Sequence, residues 1–219
     1  MTSAPENETA ALPVPVTRTS VSTDVSLVAT FAAFIAVCAI LPGIPTPSGV
    51  PITLQTFGVI LAGLVLGWRR GGLAALLYLA LGLAGLPIFA EGTGGLAVLS
   101  KPSVGYLVSF PLAAAVAGVL GGVALRLADR LARRSGDGAR QAASAWRYPL
   151  LVVAGLATSF TVIHPAGIVG LMARLGTSLR EALAIDVVYW PGDVVKNLAA
   201  AAVAVAIVKA FPDMLRSRR

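Results

Sequence analysis

Asp193 and Lys196 stand three residues apart in VVYWPGDVVKNLAAAAVAVAIV (187–208), where the run that follows is mostly Ala and Val. Pro191 suits a helix start, because its missing N–H would lack a partner there anyway. That places Asp193 in the first turn, at the positive end of the helix dipole, and Lys196 one turn deeper on the same face. The pair has two readings. It is a self-satisfied cap, or it is a carboxylate acceptor beside an ammonium donor for a small ligand carrying N–H groups and an oxygen anion. Ionisable groups in so apolar a segment mark ligand or ion routes by default, which favours the second. His164 in TVIHPAG is the single histidine of the chain, and neither H-E-x-x-H nor G-x-S-x-G accompanies it. It is expected as a hydrogen-bonded core residue. Cys38 is the single cysteine, so a disulfide framework and a cysteine-ligated zinc are both excluded. No G-x-x-x-x-G-K-[ST] loop occurs, so ATP chemistry, if the function uses it, belongs to another chain.

The elements that must carry these residues are membrane helices. Of 219 residues, 57% are hydrophobic and 12% charged, about half the charged share of a soluble domain. The mean hydropathy is +0.84. Six apolar spans are expected, at Val25–Leu41, Pro51–Trp68 (helical from about Gln55), Leu73–Ala90, Pro102–Leu125, Tyr148–Ala173 and Trp190–Ala210. This is an all-α membrane protein: one six-helix transmembrane domain over 24–211, a disordered cytoplasmic N-terminal tail over 1–23 and a basic C-terminal tail over 212–219. The polar N-terminal stretch has no basic start or small-residue cleavage site of a signal peptide.

The net charge of +7 is not a nucleic-acid stripe, because the basic residues fill gaps between apolar runs. Arg18, Arg69, Arg70, Arg126, Arg130, Arg133, Arg134, Arg140, Arg147, Lys209, Arg216, Arg218 and Arg219 share one side of the six-span topology, thirteen of the 17 Lys and Arg residues. Lys101, Arg174 and Arg180 take the other. By the positive-inside rule both termini are cytoplasmic. Three loops then face outward: PGIPTPSGVPITLQ, EGTGGLAVLSKPS and RLGTSLREALAIDVVY. Irregular backbone at membrane depth survives where it lines a cavity, so facing Pro/Gly-rich loops suggest a lidded pocket. On the first span, ATFAAFIA sets Ala29, Ala33 and Ala32, Ala36 at spacing four, which lets another helix approach closely, inside the bundle or on a partner.

The stretch PTPSGVPITLQTFGVILAGLVLGWRRGGLAALLYLALGLAGLPIFAEGTGG, with KPSVGYLVSFPLAA and TSLREALAIDVVYWPGDVVK, resembles the BioY family, the biotin-binding membrane subunits of energy-coupling-factor (ECF) transporters. The likeness runs in order from about 27 to 210 and rests on V-P-I-T-L-Q, G-L-P-x-F-A-x-G-T-G-G and P-G-D-x-x-K together. It implies a six-helix substrate-binding component with an outward-facing pocket, roofed by the loops after the first and third spans. Biotin is then the transported ligand, with no cofactor. The implied partners are a transmembrane coupling protein, met through Ala29, Ala32, Ala33 and Ala36, and two cytoplasmic ATPases. Asp193 and Lys196 map onto biotin-binding groups, with Thr53, Gln55, Gly94, Gly95 and Tyr106 from the loop elements. Lys101 is a further candidate for the biotin carboxylate. Glu91 stands where glycine is usual, and KPSVGY replaces a glycine-richer stretch. Other readings are a related component for another vitamin, an intramembrane enzyme using His164 or Asp193, and a purely structural membrane subunit.

Overall fold

The computed structural model describes residues 21–134 and 139–211. Eight α-helices follow in order: α1 Val21–Ile40, α2 Gln55–Leu66, α3 Trp68–Leu83, α4 Val104–Arg133, α5 Ala139–Thr158, α6 His164–Leu175, α7 Leu179–Asp186 and α8 Trp190–Ala210. A π-helical turn, Ser159–Ile163, joins α5 to α6, and a 3₁₀ turn, Val187–Tyr189, joins α7 to α8. The eight therefore make six rods, the expected number. Among the described residues there is no strand, only the isolated bridges Ile44↔Ile52 and Phe89↔Thr93. The expected tails lie outside the described residues, except Val21–Thr23, which already belong to α1.

Among the described residues, four rods are long and apolar enough to cross a bilayer: Val21–Ile40, Val104–Arg133, Ala145–Leu175 and Leu179–Ala210. Helix α2, at 12 residues, is only about 18 Å long by its 1.5 Å rise. It is enclosed by its neighbours, with every residue from Gly58 to Leu66 buried, and residues 41–54 fold over its N-terminal end. Helix α3 stops at Leu83, short of the expected Ala90, because the chain turns back through Gly85 (φ 113°). The segment RLGTSLREALAIDVVY, expected as a loop, is mostly helical. Ser178 and Glu181 form a capping box at the start of α7, and the helix continues through the 3₁₀ turn into α8. Asp193 lies in the first turn of α8, with Pro191 at its start, as expected, and the 3₁₀ turn leads into it from α7.

Lipid gives little hydrophobic drive for helix association, so close packing through small residues has to hold the rods together. A Cβ on Gly63 would come within 2.3 Å of the Ala114 carbonyl, and one on Gly118 within 2.3 Å of the Trp68 nitrogen. Those two glycines set the approach of α2 and the α2–α3 turn to α4. A Cβ on Gly105 would lie 2.0 Å from the Ala166 carbonyl, and one on Gly167 2.1 Å from the Tyr106 ring. The α4–α6 crossing is tight enough to bring Tyr106 beside α7. At the opposite end of the bundle, Arg70 of α3 pairs with Asp24 of α1 at 2.5 Å, and Arg147 of α5 with Asp129 of α4 at 3.1 Å.

Candidate functional site

A cavity opens at the end of the bundle where residues 41–54, residues 84–103 and the start of α8 meet. It holds about 750 Å³ of space between atoms, including what is open to solvent at its mouth. Residues Gly49–Thr53 form one wall. Phe89–Glu91, Thr93, Val98 and Lys101 form the opposite wall. Gln55 and Thr56 enter from α2, Tyr106, Leu107 and Phe110 from α4, and Tyr189, Asp193 and Lys196 from the α8 rod.

Both walls are fastened by side chains. The Tyr189 hydroxyl reaches the Val50 carbonyl at 3.0 Å, Ser48 Oγ at 2.7 Å and Thr46 Oγ1 at 3.2 Å, so the first loop is tied to the α8 rod. Phe89 is buried against Gly82, where a Cβ would stand 2.2 Å from its ring, and packs edge-on to Tyr78. Gln55 Nε2 donates to the Tyr78 hydroxyl at 2.5 Å. Glu91 has φ 61°, the single positive value of a non-glycine among the described residues. The backbone there asks for glycine, which adopts that region without steric penalty.

Polar groups converge under the cavity. Lys196 Nζ forms an ion pair with Asp193 Oδ1 and donates to the Thr53 carbonyl at 3.0 Å. Thr56 Oγ1 donates to Asp193 Oδ1 at 3.1 Å. Asp193 Oδ2 lies 3.3 Å from His164 Nε2, near enough for an ionic contact but off the alignment of a hydrogen bond. Asp186, wholly buried, is met by three groups: the Tyr106 hydroxyl at 2.6 Å, His164 Nδ1 at 2.8 Å and Trp190 Nε1 at 2.8 Å. Asn197 Nδ2 donates to the Asp193 carbonyl at 2.8 Å and to Ser159 Oγ at 3.0 Å, locking α8 against the π-turn. That turn has a cause in the sequence. Pro165 has no N–H for the carbonyl one turn back, and its ring would clash there in a regular helix. The wider turn relieves the clash at the position from which His164 projects.

An ammonium has three N–H groups. Two of those on Lys196 are engaged, which leaves one. A carboxylate has about four acceptor positions. On Asp193, Lys196 and Thr56 take up two, both on Oδ1, and Oδ2 has only the off-line contact from His164. The site therefore presents a spare donor beside spare acceptor capacity at the floor of a mostly apolar cleft.

Asp193, Lys196, Thr53, Gln55, Tyr106 and Lys101 all line this cavity. Gly94 and Gly95 do not. A Cβ on Gly94 would lie 2.2 Å from the Leu86 carbonyl, and Gly95, at φ 79°, donates to the Gly82 carbonyl at 2.7 Å, so both shape the loop rather than the wall. Lys101 Nζ rests 3.5 Å from Thr93 Oγ1. The alanines of α1 divide: Ala29 and Ala33 are exposed, Ala32 is buried, and Ala36 packs against the core. The sequence reading did not single out Asp186, Tyr189 or Thr56. A lone acid in LAIDVVYW was the available signal for Asp186, hidden by assigning that stretch to a loop. His164 is buried and bonded as expected, although as the bridge between two carboxylates.

The BioY family profile matches residues 9–213. A protein of Rhizobium etli named biotin transporter BioY is 35% identical over 192 residues, spanning 86% of this chain and 95% of that one. One of the same name from Rhodobacter capsulatus is 38% identical over 195 residues, spanning 89% and 98%. Among solved structures, the S-component for biotin from an ECF-type ABC transporter superposes with a TM-score of 0.73 at 26% identity, covering 88% of this chain and 94% of that one.

Proposed function

This chain belongs to the BioY family, and from that premise we propose that it is the substrate-specific component of an ECF transporter, binding biotin in the cavity under the two loops. It is a multi-pass membrane protein and not an enzyme: it binds its ligand unchanged. The observation that carries the reading is the spare donor on Lys196 beside the spare acceptor on Asp193. A ureido ring supplies the complement, N–H groups for the carboxylate and a carbonyl for the ammonium. The thiophane ring and the methylenes of the valerate suit Val98, Leu107 and Phe110, and Lys101 at the mouth suits the carboxylate. In this arrangement Asp193 accepts from a ureido N–H, and Lys196 donates to the ligand oxygen. Thr53, Gln55 and Tyr106 complete the wall, while Gly94 and Gly95 act through the loop they shape.

Biotin enters from outside the cell, with both termini cytoplasmic, since the basic residues gather at the end away from the cavity. The partners are a transmembrane coupling protein and two ATPases. Ala29 and Ala33, exposed on α1, form the small-residue face for the coupling protein. Ala32 and Ala36 belong to the packing of the bundle. The test is uptake of labelled biotin by cells lacking any biotin transporter of their own, given this chain together with its coupling module. Accumulation that Lys196→Ala abolishes is the expected outcome; accumulation independent of the chain overturns the reading.

A further inference from the structure

A second concavity lies on the outside of the bundle, over α3 and between α1 and α4. It holds about 2120 Å³ of space between atoms, including what is open along its side. Its floor is one stripe of α3, Arg69, Gly72, Leu73, Leu76, Leu77 and Ala80, at the spacing of a single helix face. Val25 and Val28 of α1 form one wall, and Pro111 and Ala115 of α4 form the other. Leu73 and Leu76 are half-exposed in it. From Arg69 to Ala80 the stripe rises about 16 Å at 1.5 Å per residue, the depth of one leaflet of a hydrocarbon core roughly 30 Å thick. The charged residues gather at one end only, the end of the bundle away from the cavity. There Arg70 is answered by Asp24 at 2.5 Å. Arg69 is exposed, with its guanidinium 5.2 Å over the half-exposed Trp68 ring and no carboxylate partner among the described residues. The groove therefore ends in one net positive charge beside a tryptophan, the residue that marks membrane–water interfaces.

We propose that this groove seats one anionic phospholipid of the leaflet on that side, with its phosphate on Arg69 and one acyl chain along the α3 stripe. A guanidinium presents a fork of N–H groups that matches phosphate oxygens two at a time. The chain covers Leu73, Leu76 and Ala80 to the depth of its own leaflet, so a single molecule satisfies the charged end and the apolar length together. A zwitterionic headgroup also brings a phosphate, but no net charge to answer Arg69, so the groove selects an anionic head. A helix of a partner protein is the competing occupant, because Ala29 edges the groove. Such a helix would have to bring an acid to the level of Arg69, or leave a guanidinium unpaired in a buried contact, which is costly. The lipid is thus the occupant of the chain standing alone. No residue of the cavity takes part, so the proposal is independent of the biotin reading.

The test is native mass spectrometry of the full-length chain in mild detergent, offered phosphatidylglycerol and phosphatidylcholine with the same acyl chains in equal amounts. One retained lipid per chain is expected, with phosphatidylglycerol preferred about fivefold, the worth of one basic residue at an anionic headgroup. Arg69→Gln is expected to erase the preference. Arg126→Gln removes an exposed charge of α4 that does not line the groove and is expected to keep it. Leu76→Trp and Ala80→Trp fill the groove with Arg69 in place, and each is expected to lose the retained lipid. Every variant is checked for folding by its melting temperature. Wild-type protein with no lipid retained at one per chain overturns the proposal, as does a preference erased equally by Arg126→Gln. Lipid retained in full by both folded tryptophan variants also overturns it, and if those variants no longer co-purify with the coupling protein, the groove belongs to a partner helix.

Discussion

Replacing Lys196 with Ala removes more than a ligand contact. Its Nζ is held by the Asp193 carboxylate and the Thr53 carbonyl, and its side chain is 11% exposed. Without it, the Thr53 carbonyl loses its donor, and Asp193 keeps Thr56 and the off-line contact from His164. The ligand oxygen loses the remaining N–H. Truncating one partner of a buried, hydrogen-bonded charge pair costs about 2–5 kcal/mol, and every 1.4 kcal/mol is tenfold in affinity, so biotin binding is expected to fall at least about thirtyfold. Asp193→Asn separates charge from shape. It keeps a carbonyl acceptor, but a neutral acceptor is roughly half as strong as a charged one, so affinity also falls. The assay is titration calorimetry on detergent-purified variants with unchanged helical signal. If both folded variants bind within threefold of wild type, the pair merely ties α8 to the first loop and the ligand lies elsewhere.

Three further outcomes follow from particular positions. In a Cys38→Ser background, Ser100→Cys on the cavity side is expected to react with a membrane-impermeant maleimide in intact cells, and Arg134→Cys only after lysis; the reverse pattern overturns the orientation. Ala33→Trp, on the exposed face of α1, is expected to leave biotin binding intact and weaken co-purification with the coupling protein, whereas lost binding with intact assembly would place that face in the core. Gly94→Ala puts a Cβ 2.2 Å from the Leu86 carbonyl, so the loop must move. A melting temperature several degrees lower and weaker biotin binding are expected, although residue 94 lines no cavity; unchanged values for both would deny Gly94 its part in setting the roof.

Much of this architecture was legible because local chemistry and global fold agree. Gln55 as the start of α2 follows from the Pro-rich run before it, and five of the six rods follow from charge-free spans. The pair at Asp193 and Lys196 is visible because ionisable groups in an Ala/Val helix have to be justified. Other features depend on distances that spacing does not encode. Asp186 lies 80 residues from Tyr106 and 22 from His164, and the contacts exist because Gly105 and Gly167 let α4 and α6 nearly touch. The α7 segment read as a loop, since eight residues are too few for a span; its capping box was the local sign of a helix. The π-turn before His164 is a compromise between helix continuity and Pro165, and an apolar pattern carries no trace of it. Ala29, Ala32, Ala33 and Ala36 share one spacing, yet which pair faces outward is decided by the neighbouring helices.

The central claim, that the cavity binds biotin, is tested most directly by equilibrium binding of labelled biotin to the purified chain alone. The account predicts saturable binding at one biotin per chain, displaced by unlabelled biotin and not by riboflavin or thiamine. Absence of saturable binding by folded protein, or displacement by either of those vitamins, would contradict it.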